Sequence, residues 1–174
     1  MLQVSQRAHY GLRAMTELAK AYGRGRMSLT EIAEAEHLSA GYLEQLVVPL
    51  RKAGLVDGAR GAHGGYELSS PPAQVTVGAV MRALEGPVAP VECLGLDYVA
   101  GSCERENVCL SQSVWRRVKE SVDGVLDSIT LADLCLPGVG NRISKMIPVV
   151  RPTVRNDALS IDPCSPVDPC SIFG

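Results

Sequence analysis

Residues 28–68 constrain the fold of this 174-residue chain more than any other part of the sequence. The run Ser28-Leu29-Thr30-Glu31 has the pattern of a capping box that begins a helix, and Ser39 can cap a second helix shortly after it. Two short runs with strand character then follow, at residues 55–56 and 66–68, on either side of a glycine-rich loop. Two helices, a tight turn and a hairpin in this order predict a winged helix-turn-helix.

Apolar periodicity predicts further helices on both sides of this segment. Residues 6–22 form a first helix, and another helix starts at Thr76 and ends at residues 86–87. The helix that Ser39 can cap is expected to be kinked or shortened by Pro49, which lies near its end. From Ser111 a longer amphipathic helix is predicted from apolar residues spaced by three or four: Val114, Val118, Val122, Val125, Leu126 and Ile129.

These patterns predict a mainly α protein with a small β-hairpin wing. Residues 1–86 would form the winged helix-turn-helix domain, 87–110 an irregular segment, 111–136 the long helix with a short terminal helix, and 137–174 a flexible tail. An apolar stripe this long on a small protein needs a covering surface. Pairing with the same helix of a second copy is the economical solution, and packing on its own domain is the alternative.

Charge and cysteine content indicate which kind of partner and which cellular compartment to expect for this chain. The net charge is −2, with eight Lys and Arg against seven Asp and Glu in residues 1–70, and nine against twelve in the remainder. This asymmetry is weak but favours a nucleic-acid reader at the N-terminal side. The absence of a signal-peptide pattern and of an 18-residue apolar run predicts a cytoplasmic protein without a membrane partner. In that compartment, cysteines are expected to be thiols or metal ligands.

The start of the second helix of the pair is expected to read bases in the major groove. Gln45 can pair with adenine, and Glu44 can accept a hydrogen bond from cytosine. Arg60, at the tip of the hairpin, is expected to enter the minor groove, while Arg51 and Lys52 are candidate phosphate contacts. A plain helical core is the alternative, and the hairpin that follows disfavours it. The predicted DNA contacts are Ser39, Tyr42, Glu44, Gln45, Arg51, Arg60, His63 and Gly64.

Three cysteines are clustered in the irregular segment. Nine residues separate Cys93 from Cys103, and five separate Cys103 from Cys109. A loop can wrap thiolates around an iron–sulfur cluster. Structural zinc is less favoured because no C-x2-C pair is present, and plain or redox-active thiols remain an alternative. Three cysteines leave a fourth ligand open, for which His9 is a candidate, although a surface or capping role is the commoner one for such a histidine.

The other three cysteines have different expected roles. Cys135, in the run LADLCLPG, is interpreted as a small buried apolar residue. Cys164 and Cys170 lie in the tail within DPCSPVDPCS and are expected to lack a fixed partner. A nucleophilic enzyme is disfavoured, because no Cys–His pair with a third orienting residue is apparent. The chain is therefore not expected to be an enzyme or to have a small-molecule substrate.

Four runs of the sequence carry a specific resemblance: SAGYLEQLVVPLRKAGLV, RGAHGGYELS, TVGAVMRALEGP and CLSQSVWRRVKESVDGVLDSITLADL. With the three cysteines before and at the start of the last run, they resemble the IscR-like family of bacterial transcription regulators over residues 1 to about 135. The resemblance implies a homodimer with crossed long helices that binds double-stranded DNA. It also implies a [2Fe-2S] or [4Fe-4S] cluster near the dimer interface, held by Cys93, Cys103 and Cys109.

Two departures from the family pattern bear on the fourth ligand. The nine-residue gap is longer than the usual five, and Gln112 stands where IscR-type members have a histidine. Nitric-oxide-sensing relatives instead use an acidic residue from the first helix of the partner subunit, at the position of His9 here. Glu104, Glu106 and Gln112 are further candidates. The segment after Cys109 matches IscR best, which favours [2Fe-2S] over [4Fe-4S].

The resulting hypothesis is a transcription regulator, more specifically a repressor, whose cluster state controls operator binding. Its target genes would serve cluster assembly, iron supply or the response to redox stress or nitric oxide. The alternative is a winged-helix regulator without a cofactor, which senses through thiol oxidation or a partner protein.

Overall fold

The computed structural model describes residues 4–61 and 64–136, along which six α-helices and one hairpin follow each other. The helices are α1 (Gln6–Ala21), α2 (Leu29–Glu36), α3 (Ala40–Lys52), α4 (Val77–Glu85), α5 (Leu110–Ser128) and α6 (Leu131–Leu134), and the strands are β1 (Val56–Ala59) and β2 (Gly65–Leu68). Short 3-10 turns lie at Pro72–Gln74, Glu92–Leu94 and Glu106–Val108. This order confirms the predicted mainly α fold with a hairpin wing.

Capping side chains set the starts of the helices that surround the tight turn. The Ser28 hydroxyl accepts a hydrogen bond from the Glu31 N–H at 3.2 Å, and the Glu31 carboxylate accepts one from the Ser28 N–H at 2.7 Å. The hydrogen bonds that the Glu31 carboxylate accepts from the Ser28 N–H and the Ser28 hydroxyl lower the pKa of Glu31. The hydroxyls of Ser39 and Thr76 cap α3 and α4 by accepting a hydrogen bond from the N–H three residues later, without a returning carboxylate. His37, in the left-handed conformation with φ 54°, ends α2 and redirects the chain into α3.

An aliphatic core joins α1, α2, α3 and α4 to the hairpin. The scarcity of aromatic residues agrees with this composition, because the interior is filled by Leu, Ile, Val, Ala and Met side chains. Burial of one face of α3 directs its opposite face outward. The largest fully buried side chains are Met15, Ile32, Leu43, Leu46, Leu50, Leu131, Val56 and Val80.

Pro49 does not end α3 where the sequence suggested a kink or a shortened helix. The helix continues to Lys52, and the Ala53 N–H donates to the carbonyl of Pro49 at 3.0 Å. Proline lacks the N–H that would bond to the carbonyl four residues earlier. The buried side chains of Leu46, Val47 and Leu50 on either side hold the helix in place through tertiary packing.

The hairpin is attached to the rest of the domain along one edge. β1 and β2 are antiparallel, with Val56 opposite Leu68 and Ala59 opposite Gly65. Met27, in the connection between α1 and α2, exchanges two backbone hydrogen bonds with Tyr66 of β2, at 2.9 and 2.7 Å. These bonds form a single β-bridge that attaches the connection before α2 to strand β2.

Helix α5 begins one residue before the predicted start, at Leu110, and its C-terminal end is bonded to α4. Arg82 of α4 forms an ion pair with Asp127 at 2.6 Å, which lowers the pKa of Asp127. The Val77 N–H donates to the carbonyl of Ile129 at 2.8 Å. A side chain at Gly78 would clash with Asp127, so the glycine allows α4 and α5 to approach.

Within residues 4–61 and 64–136, no helix has the length and apolar character needed to cross a membrane. The predicted tail at residues 137–174, with Cys164 and Cys170, lies outside the described residues, as does His63.

Candidate nucleic-acid interface and cysteine segment

The outward face of α3 carries the two side chains that the sequence assigned to base pairing, and one predicted phosphate contact. Glu44, Gln45 and Arg51 are exposed there, opposite the buried Leu43 and Leu46. The structure therefore presents the side chains of the predicted readers to the solvent on one surface. An exposed helix face bearing hydrogen-bonding groups is the arrangement that major-groove docking requires.

Ser39 and Tyr42 have structural partners at the start of the same helix. The Ser39 hydroxyl accepts a hydrogen bond from the Tyr42 N–H at 3.2 Å. The half-buried ring of Tyr42 packs edge-to-face on Tyr10 of α1, with ring centroids 6.0 Å apart. Both residues thus fix how α3 starts and how it sits against α1, and their contact with DNA stays a prediction.

Glycines shape the tip of the hairpin around Arg60, whose side chain is exposed. Gly61 has φ +114°, and the Gly64 N–H donates to its carbonyl at 2.8 Å. A Cβ atom at Gly64 would lie 2.5 Å from the carbonyl oxygen of Ala59. Only glycine therefore fits at position 64, and its role in the structure is to allow the tight return of the chain.

The cations of this surface differ in their ion-pair partners. Arg26 forms an ion pair with Glu67 of β2 at 2.8 Å. In contrast, Arg51, Lys52 and Arg60 pair with no carboxylate among the residues that the structure describes. Three cations without an internal partner, placed on α3 and at the hairpin tip, are suited to bind phosphate groups.

The three clustered cysteines are free thiols on the segment that connects α4 to α5. Cys93 is half-buried in a 3-10 turn, Cys103 is exposed, and the half-buried Cys109 is the residue that precedes the first turn of α5. The Cys109 thiol makes no capping hydrogen bond to that helix. All three cysteines are therefore free of disulfides, and Cys103 is the exposed one of the three.

Glu106 closes the loop on which Cys103 lies. Its carboxylate accepts a hydrogen bond from the Gly101 N–H at 2.6 Å, and Gly101 has φ +83°. The Ser102 N–H also donates to the carbonyl of Val99 at 3.1 Å. Glu106 was one candidate for the fourth ligand, and in this conformation its carboxylate has a structural partner instead.

The conformation described here does not gather a metal site within one copy of the chain. No group of three His, Cys, Asp or Glu residues in the described part of the chain is placed to hold a metal ion. His9 is exposed on α1, where its ring centroid lies 5.4 Å from that of Tyr10. The thiol donors fit the chemistry of an iron–sulfur cluster, but the segment between residues 93 and 109 would have to rearrange to bring them together.

Cys135 has a different environment from the clustered cysteines. It packs against the main core, and its thiol donates to the carbonyl of Thr16 at 3.9 Å. Burial raises the pKa of this thiol above its ordinary value. The residue is therefore half-buried at the edge of the core, whereas the sequence interpretation had it as buried.

The N-terminal half of α5 exposes its apolar stripe. None of the 19 residues of this helix is buried, and Val114 retains 61% of its accessible surface. An open groove of about 530 Å³ runs along the helix, lined by Ser113, Val114, Arg117, Val118, Ser121 and Val122. Packing on its own domain, the alternative considered from the sequence, covers α5 in part, because Trp115, Val122 and Leu126 line a cavity together with residues of α1 and α4.

Val48 is a further residue on the outward face of α3, and the sequence did not indicate it as part of the candidate interface. Its side chain is 66% exposed, one turn beyond Glu44 on the outward face. The spacing of four residues from Glu44 places both on one side of a helix and is a signal that could have identified it.

The chain is similar to known regulators of transcription. The sequence model of the Rrf2 family, described as an iron-dependent transcriptional regulator, matches residues 4–137. The HTH-type transcriptional regulator CymR of Bacillus subtilis is 47% identical over 133 residues, covering 76% of this chain and 89% of that protein. The HTH-type transcriptional regulator IscR of Serratia proteamaculans is 35% identical over the same length, covering 76% and 79%.

Solved structures agree with these matches. The structure of B. subtilis CymR, described as the global cysteine regulator, has a TM-score of 0.63 at 47% identity and covers 78% of this chain and 97% of that one. The structure of T. potens IscR has a TM-score of 0.60 at 47% identity, with coverage of 76% and 85%. The similar proteins are regulators of transcription, which agrees with the expectation of a chain that is not an enzyme.

Proposed function

The chain belongs to the Rrf2 family of transcriptional regulators, and on this premise we propose that it is a cytoplasmic, homodimeric repressor with an iron–sulfur cluster. Its α3 helix would read the major groove, its hairpin tip would contact the minor groove, and its cysteine segment would set the affinity for the operator. The observation that carries the proposal is the position of three free cysteines on the segment between α4 and α5, the last of which, Cys109, directly precedes α5.

The outward face of α3 supports the proposed docking on DNA. Glu44 and Gln45 lie on it without competing core contacts, and Arg51 extends the same face toward the C-terminal end. The hairpin is joined to the helices through Met27 and Tyr66, which keeps Arg60 at a defined distance from α3. A fixed distance between two contact elements lets one domain engage a major groove and a neighbouring minor groove.

The exposed stripe of α5 supports the homodimer. A helix with Val114 exposed and a groove beside it presents apolar surface that a second copy could cover. A twofold arrangement would set two α3 helices against two half-sites of an operator. The C-terminal end of α5 is bonded to α4. A change in how the two α5 helices pair would therefore shift the position of the winged helix-turn-helix domain.

The cysteine segment is placed to influence this pairing. Cys109 adjoins the first turn of α5, and Cys93 follows α4 by eight residues. When bound, an iron–sulfur cluster would supply a redox-sensitive link that responds to iron, oxygen or nitric oxide. Cys93, Cys103 and Cys109 would hold it as thiolates, with [2Fe-2S] favoured and His9 of the partner's α1 as the proposed fourth ligand. Movement of this segment would alter the start of α5 and hence the spacing of the two α3 helices.

Replacing Cys93, Cys103 or Cys109 by alanine is expected to abolish iron and sulfide binding and to change operator affinity about tenfold or more. The protein would be purified without oxygen, its iron and sulfide counted, and its affinity measured by fluorescence anisotropy. Cys135→Ala is the matched control, because Cys135 packs on the core, and it should keep its full iron content. Unchanged iron in all three cysteine variants would contradict the cluster proposal.

A second candidate function is favoured by the similarity to B. subtilis CymR, whose solved structure is described as that of the global cysteine regulator. Without three converging ligands in this part of the chain, the cysteines could act directly, two thiols passing two electrons and two protons to an oxidant and forming a disulfide. A partner protein could also bind the cysteine segment and so change the affinity for the operator. A colourless, oxygen-free preparation whose operator affinity still depends on Cys103 and on added oxidant would support this alternative.

Replacing Arg60 by alanine is expected to weaken operator binding about tenfold, most strongly where the minor groove is narrow, because such grooves attract an inserted arginine. If Arg51, Lys52 and Arg60 of two copies contact phosphates, the logarithm of affinity should fall with the logarithm of salt concentration with a slope of about −5. Arg116→Gln, which removes one charge from α5, should leave both quantities nearly unchanged. An equal loss on every DNA sequence would argue against the minor-groove role.

A further inference from the structure

One side chain on the outward face of α3 does not fit the polar character of its neighbours. Val48 is 66% exposed, while the other large side chains exposed on this face, including Glu44, Gln45 and Arg51, are polar or charged. The buried face of the helix consists of Leu43, Leu46, Val47 and Leu50, so Val48 adds nothing to the core.

Helix stability does not account for this residue either. Valine loses rotamer freedom in a helix and is a poorer helix former than alanine, leucine or lysine. Single exposed apolar residues are common on protein surfaces and need no explanation by themselves. Here, however, the residue lies one turn from Glu44, on the surface through which the chain is proposed to enter the major groove.

We propose that Val48 is a specificity-determining residue that recognises the 5-methyl group of a thymine in the major groove. Thymine is the only DNA base that presents a methyl group there, and apolar side chains contact it favourably. A branched side chain of this size can cover the methyl group on one side without leaving a polar atom unpaired. The inference rests on the proposed docking of α3 on DNA, and it specifies one base that this helix selects.

The spacing along the helix indicates where this thymine lies. Val48 lies four positions after Glu44, which corresponds to a rise of about 6 Å along the axis. Adjacent base pairs are about 3.4 Å apart, so the thymine should lie about two base pairs from the base that faces Glu44. It should be displaced toward the side on which Arg51 contacts the backbone.

The test uses an operator selected from random duplexes by the full-length protein. Each thymine is replaced in turn by deoxyuridine, which keeps all hydrogen-bonding groups and lacks only the methyl group. At one position per half-site, replacing thymine by deoxyuridine should weaken wild-type binding about fourfold, the factor expected for one buried methyl group. The same replacement should have no effect on Val48→Ser, which should already bind thymine more weakly than the wild type. Thymines elsewhere in the operator serve as controls.

Several outcomes would overturn the inference. Wild-type binding that is insensitive to deoxyuridine at every position would do so, as would a Val48→Ser variant with the full wild-type sensitivity. A change of oligomeric state in Val48→Ser would assign the residue to a protein interface instead. Glu44→Ala separates this failure from that of the proposed function: if it alters base preference while deoxyuridine has no effect, α3 reads DNA without Val48. If neither change alters binding, the docking of α3 itself is wrong, and with it the inference.

Discussion

Replacing Val114 by aspartate is expected to convert the protein to a monomer and to weaken operator binding about a hundredfold or more. A carboxylate in an apolar interface would lose its hydration without gaining a partner. A monomer can occupy only one half-site, so it loses the gain in affinity that comes from linking two reading domains. Val114 is 61% exposed within one copy, so the substitution should leave the folded chain itself intact.

Sedimentation equilibrium and fluorescence anisotropy would measure the two effects, and circular dichroism would check the fold. Arg116→Gln is the matched control, because it lowers the net charge by the same one unit and lies about 200° around α5 from Val114. It should stay dimeric and bind normally. A Val114→Asp protein that remains a dimer with full affinity would place the interface elsewhere on the molecule.

Replacing Leu43 by alanine is expected to lower the free energy of unfolding by about 3 kcal/mol, because it removes a large side chain and leaves a cavity. Leu43 has no exposed surface and lies in the cluster that joins α3 to α1 and α4. For a domain of this size the midpoint of thermal unfolding should fall by roughly 10 °C. Urea unfolding followed by circular dichroism would measure the change.

Val48→Ala is the matched control for this substitution. It removes two methyl groups from the same helix, but from a side chain that is 66% exposed. Because alanine is the better helix former, stability should change by less than about 0.5 kcal/mol. If Leu43→Ala were as stable as Val48→Ala, the assignment of the two faces of α3 would be wrong.

Interactions between residues close in sequence were sufficient to predict the helices and the hairpin of the winged helix-turn-helix. The capping box of Ser28 and Glu31 starts α2, Ser39 starts α3 and Thr76 starts α4, each through a hydrogen bond to a residue three positions later. The glycines around Arg60 mark the hairpin, because the tight return there requires backbone conformations that other residues rarely adopt. Interactions within four residues depend little on the rest of the fold and can therefore be read from the sequence.

Contacts between distant parts of the chain set the remaining features of the candidate site. The sequence did not indicate that Tyr42 would pack on Tyr10, nor that Met27 would bond to Tyr66 and hold the hairpin against the helices. It also did not show that Glu106 closes the loop of Cys103.

By itself, the sequence determined the order of helices and strands, the buried face of α3 and the apolar stripe of α5, because periodicity and capping are properties of neighbouring residues. Only the tertiary structure decided which of those faces stay uncovered, that Pro49 is accommodated within α3, and that the three cysteines stand apart in one copy of the chain. These outcomes depend on packing and hydrogen bonds between residues far apart in the chain, and no local pattern encodes their geometry.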